Sequence, residues 1–110
     1  MGTYSRKKPV YLGEKLKRIR LALEASQDTI IPLLGYEGLL KRTEISSYER
    51  GRREPGSDVL MAYGKLAGVY VDVLLSDALD LPEKIPAFPK SPGIPRKLDP
   101  ERRPTSRTKK

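Results

Sequence analysis

Residues 12–35, LGEKLKRIRLALEASQDTIIPLLG, decide the fold. Leu12, Leu16, Ile19 and Leu23 recur at i, i+4, i+7 and i+11, the spacing of one helical stripe, while Glu14, Lys15, Lys17, Arg18 and Glu24 fall on the other faces. This pattern predicts a first helix of about three turns. Ser26 then offers an N-cap hydroxyl to a second, short helix carrying Ile30, Leu33 and Leu34, and Gly35 supplies the residue that ends it.

Working outward, Lys41 to Arg50 reads as a third short helix with Ile45 and Tyr48 inward and Gly51 at its close. Ser57 caps a fourth, with Val59, Leu60, Tyr63, Leu66 and Ala67 on one side and Gly68 beyond its end. Val71, Leu74, Leu75, Ala78 and Leu79 make a fifth amphipathic segment, which Pro82 stops. No run of period-two alternation competes and no internal repeat is present. The expected domain is all-α, a compact set of five short helices in residues 11–81.

Composition excludes several chemistries. The 110 residues have room for one domain, and the absence of Cys and His removes thiol nucleophiles, disulfides, imidazole bases and the usual zinc ligands. The carboxylates are dispersed among basic partners, and there is no Gly-rich phosphate loop or metal-ligand cluster. We expect no enzyme, cofactor or metal. No apolar run is long enough to span a bilayer or to serve as a secretory h-region, so a soluble, non-secreted chain is expected.

The net charge is +8, and its distribution matters more than its total. Residues 1–10, a basic N-terminal arm, carry +3; residues 11–81 carry −1; residues 82–110 carry +6. That last segment holds seven of the ten prolines, so a disordered Pro-rich basic tail is expected from Pro82 onward. Pro86, Pro89, Pro92 and Pro95 fall every third residue, the repeat of polyproline II. Two readings follow, a stiff spacer with a basic end or a strip that docks a protein partner.

Three anchors in order carry a family resemblance: LGEKLKRIRLALEASQ at 12–27, EISSYERGRREP at 44–55 and LAGVYVDVLL at 66–75. Across about 70 of the 110 residues the chain resembles the lambda-repressor-like, or Cro/XRE, helix-turn-helix family. The resemblance implies a cytoplasmic, sequence-specific regulator of bacterial or phage type that binds double-stranded DNA, acting as a repressor. Its recognition helix would run from about Lys41 to Glu49. Arg42, Thr43, Ser46 and Ser47, with Lys41 at the groove edge, are then the candidate base contacts. Arg can bind guanine through two hydrogen bonds, Thr can offer a methyl to thymine, and Ser reaches either base edge or phosphate. Ser26, Gln27, Arg50, Arg52 and Arg53 are the candidate phosphate contacts, and Glu44 is a further outward acid able to accept from cytosine. Arg20 and Glu49 match the family's partly buried structural ion pair.

The chain departs from the family pattern in four residues added around Tyr36, Glu37, Gly38 and Leu39, which enlarge the inter-helix turn and leave either Lys41 or Thr43 to cap the third helix. Pro32 inside the second helix and Ile31 at the helix crossing are further departures. The resemblance also implies a homodimer on inverted repeats, in which Val73, Leu75 and Leu79 supply either the dimer surface or the monomer core. The rival reading is an antitoxin-like or bridging interaction module whose Pro-rich tail binds a protein.

Overall fold

The computed structural model describes residues 9–96. It contains five helices, α1 (Leu12–Ala22), α2 (Gln27–Leu34), α3 (Arg42–Glu49), α4 (Ser57–Ala67) and α5 (Val71–Leu75), followed by two short strands, β1 (Leu79–Asp80) and β2 (Ile94–Pro95). The domain is therefore mostly helical, as the apolar periodicity predicts. α1 packs against α3, α4 and α5, and α2 against α3 and α4, so that Leu16, Ile19, Ile30, Ile45, Tyr63 and Leu74 meet in one core. Among the described residues, no helix is long and apolar enough to cross a membrane.

The helix ends refine several expectations. Ser26 caps α2 as expected, its Oγ accepting from the Thr29 amide at 3.0 Å, and Gly35 ends that helix. Ile31, not Leu33, completes the buried face, because an eight-residue helix has one inward stripe and Ile30, Ile31 and Leu34 occupy it. Pro32 lies on the exposed side of the last turn, where it forms no bond to the Asp28 carbonyl and that group can be hydrated. The added residues close as a turn, with the Leu39 and Leu40 amides both donating to the Tyr36 carbonyl. Lys41, not Thr43, precedes the first residue of α3. Its amide donates to Glu44 Oε1 at 3.0 Å, the half of a capping box that needs no acceptor from the cap side chain. Gly56, not Ser57, precedes α4.

Lys15 overturns the expected polar face of α1. It is 1% exposed, and its Nζ donates to the carbonyls of Val73 at 2.6 Å and Ser76 at 2.9 Å. The last carbonyls of a helix lack intrahelical donors, and a long cationic side chain reaching under α5 satisfies them. Burial, with the Arg96 charge, lowers the Lys15 pKa.

The segment after Pro82 corrects the expectation of a tail disordered from that residue. Residues 82–96 pack on the domain: Leu81 is buried, Ile85 rests on the core, and β2 returns antiparallel to β1. Bends at residues 83–86 and 88–89 interrupt the three-residue proline edge expected over Pro86 to Pro95. Ala87 donates to the Ala67 carbonyl at 2.9 Å and Ser91 to the Gly68 carbonyl at 2.8 Å, so this segment supplies partners to the C-terminal end of α4. Gly68 makes this possible, since it has a φ of 71° and a side chain there would strike the Ala87 backbone. The fifth helix ends at Leu75, and Leu79 belongs to β1. Residues 1–8 of the basic arm and 97–110 of the basic tail lie outside the described residues.

Asp80 locks this segment. Its carboxylate meets Arg18 Nη1 at 3.0 Å, Arg96 Nη2 at 3.4 Å and the Leu81 amide at 2.8 Å. Arg96 also lies 3.7 Å from the centre of the Tyr11 ring. Burial alone would raise the Asp80 carboxyl, but the Leu81 amide and the two arginines outweigh it and hold the group below the usual carboxylate range. The unfolded chain therefore binds this proton more readily. The stabilisation is present above the unfolded carboxylate value and is lost as pH falls through the folded one. Denaturant titrations are expected to show stability falling between about pH 5 and pH 2, with a shallower fall in Asp80→Asn. Equal acid sensitivity in the two proteins would remove this role.

Candidate nucleic-acid interface

The placement of α3 begins with one charged cluster. Arg20, in the last turn of α1, donates through Nε to Glu49 Oε2 at 2.7 Å and through Nη2 to Glu49 Oε1 at 3.0 Å. Its third nitrogen, Nη1, donates to the Ala25 carbonyl at 3.0 Å. Gln27 Nε2 adds a bond to Glu49 Oε1 at 3.2 Å, tying the start of α2 to the end of α3. The side chains of Arg20 and Glu49 are 11% and 4% exposed, and the Glu49 hydrogen bond holds the guanidinium above its ordinary pKa. Tyr63 is buried close by; its hydroxyl has no hydrogen-bond partner among the described residues, and burial pushes that phenol up.

With Ile45 and Tyr48 in the core, α3 turns the opposite stripe outward. Thr43 and Arg50 are exposed and Ser46 is half-buried. These three, with Arg42, Gln27, Glu49 and Lys17, line a shallow hollow of about 380 Å³. Arg42 Nε stands 3.8 Å from Asp28 Oδ2, but both side chains are largely in water and the pair constrains neither strongly. Lys41 is exposed at the N-terminal edge, and Arg52 and Arg53 are exposed on the loop beyond α3. Lys17, Arg42 and Arg50 bring three cations to the hollow, where Glu49 is already neutralised by Arg20, while Arg53 lies outside it near Glu44 and lines another hollow with Glu54.

The hollow thus brings together Gln27, Arg42, Thr43, Ser46 and Arg50 of the expected contacts. Lys41, Arg52 and Arg53 stay exposed outside it, whereas Ser26, Ser47 and Glu44 make bonds of their own. The Ser26 hydroxyl donates to Thr29 Oγ1 at 2.8 Å while accepting from the Thr29 amide, so the cap consumes it and leaves no proton for a phosphate. Ser47 is half-buried outside the hollow, and its carbonyl receives the amides of Arg52 at 2.9 Å and Arg53 at 3.4 Å, which shapes the arginine loop. Glu44 is occupied at the N-terminus of α3 and lies 3.9 Å from Arg53, which leaves little of it for a base. Lys17 was missed by the sequence reading. Lys17 lies between Gly13, which approaches the end of α3, and Arg20, which binds Glu49, and of this only the helical spacing of the three is visible in the sequence.

No protein-family model matches the chain, and no curated protein matches it significantly.

Proposed function

We propose that this chain is a sequence-specific, double-stranded DNA-binding transcriptional regulator with a lambda-repressor-like helix-turn-helix, acting as a repressor in the cytoplasm. The observation that carries the reading is the outward stripe of α3, which no other described element covers and which stands among cations. A helix of this width enters a major groove about 12 Å wide. Arg42 then reads guanine through two hydrogen bonds, and Thr43 and Ser46 read neighbouring base edges. Gln27, already bonded to Glu49, keeps a second amide proton for a backbone phosphate. Lys17, Lys41, Arg50, Arg52 and Arg53 supply the sequence-independent attraction. Occupancy of an operator would exclude other proteins from it, which is the simplest route to repression.

Of the residues expected either in the monomer core or at a dimer surface, Val73 is fully buried, whereas Leu75 and Leu79 are partly buried against the core.

Selection from a randomised duplex pool, followed by affinity measurements over a salt series, tests the reading. An enriched motif is expected, an inverted repeat for a dimer or a single short site for a monomer. Arg42→Ala should weaken the selected site about tenfold and relax one base position. Removing Arg52 and Arg53 should weaken all duplexes alike and reduce the salt slope by about one per contact. Retained binding without any enriched motif would overturn sequence-specific readout.

A further inference from the structure

A second concave surface lies between the C-terminal end of α2, the exposed side of α4 and residues near Val71, and shares no residue with the α3 hollow. It is a groove of about 500 Å³. Leu33, Met61, Leu66 and Val71 line it, and Leu33 and Met61 are 47% and 58% exposed. Scattered exposed apolar residues are ordinary, but large ones gathered in a concavity mark a surface that something covers.

The rim identifies the occupant by charge. Lys65 and Lys90 stand at the mouth, and Lys90 is held there by the Tyr70 ring, whose centre is 4.5 Å from Nζ. Asp58, the acid among the lining residues, accepts from the Val59 amide at 3.0 Å, and the two lysines outnumber it. The chain's own ends are poor complements. Residues 1–8 contain Arg6, Lys7 and Lys8 and no acid, and residues 97–110 hold six basic against two acidic side chains. Arg96 moreover fixes the last described residue beside Tyr11 and Asp77, which belong to other surfaces than the groove. A second copy paired about a two-fold axis would set its own Lys65 and Lys90 against the same two lysines, like charge against like.

We propose that this groove docks a short amphipathic segment of another protein, with apolar side chains on the floor and acidic ones against Lys65 and Lys90. The proposal does not rest on DNA binding. Because the two concavities share no residue, a partner could be held while α3 is occupied, which would let a bound regulator recruit or answer to a second protein.

A randomised library of short displayed peptides, panned against the full chain and against Met61→Glu, tests this. Met61 is largely in solvent, so the variant should fold, and its amide spectrum confirms that. Enriched peptides are expected to carry Leu, Met or Phe at helical spacing flanked by Asp or Glu. Their affinity should fall about tenfold or more in Met61→Glu. The double variant Lys65→Glu, Lys90→Glu should shift enrichment to Lys- or Arg-flanked peptides. The proposal is overturned by equal enrichment on Met61→Glu, by enriched peptides without acidic flanks, or by no enrichment. A concentration-dependent dimer lost in Met61→Glu would also overturn it, assigning the groove to a second copy.

Discussion

Glu49→Ala is expected to lower the unfolding free energy by about 3–5 kcal/mol, the cost of leaving a buried cation without its counterion. The geometry explains why the effect should sit at the high end for one residue. Arg20 directs two nitrogens at Glu49 and the third at the Ala25 carbonyl, so its guanidinium has little freedom to turn toward water once the carboxylate is gone. Glu49→Gln should cost less, because the amide oxygen keeps one acceptor for Arg20 while its NH₂ now faces a donor. The double replacement Arg20→Met, Glu49→Leu should recover much of the loss, since it removes both charges from a poorly hydrated site. Denaturant unfolding of the four proteins measures this, and a loss under about 1 kcal/mol in Glu49→Ala would mean the pair behaves like a surface bridge. If the chain binds duplex DNA as proposed, affinity should stay low in the double variant although its stability recovers, because Gln27 loses its partner and α2 is no longer tied to α3. That split, stability restored and binding not, would separate the pair's contribution to geometry from its contribution to folding.

Much of this architecture is legible in the sequence because its signals are local. Helical periodicity, the Ser26 cap, and Gly35 and Gly68 past two helix ends are each read within a few residues. What was not legible depends on distant groups. Nothing near Lys15 says that it should be buried, because the carbonyls that receive its ammonium lie 58 and 61 residues further on. The same holds for residues 82–96. Proline content predicts a chain without backbone donors, yet Ala87 and Ser91, standing between the prolines, bring the amides that the end of α4 lacks. At the candidate interface, residue type suggests Ser26 as a phosphate ligand, whereas its hydroxyl is taken up in the cap of α2. The choice of Ile31 over Leu33 has a similar origin: both fit an apolar pattern, and only the direction of the inward stripe separates them. Exposing Leu33 is what leaves the second groove open.

Gly13→Ala should destabilise the domain by about 1–3 kcal/mol although alanine is the better helix former. In an isolated helix the change would gain roughly 1 kcal/mol. Here a Cβ would stand 2.6 Å from the Glu49 carbonyl oxygen and 2.8 Å from that of Tyr48, both backbone atoms at the end of α3 that no side-chain rotation can move. Relief therefore requires α1 and α3 to part. Gly13, Lys17 and Arg20 share the stripe of α1 that faces α3, so a displacement at the first lengthens the Arg20–Glu49 bonds and, under the proposed DNA-binding function, changes the aim of the outward stripe of α3. Binding to a selected site should consequently weaken by more than binding to random duplex. Gly56→Ala is the control: its φ is −68°, and the nearest contact, at 3.1 Å, is the movable Asp58 carboxylate. Thermal unfolding of both variants, with paired affinities for selected and random duplexes, reads the effect. A Gly13→Ala protein as stable as the Gly56→Ala control would show that the two helices can separate freely, and the close crossing would then have no part in aiming α3.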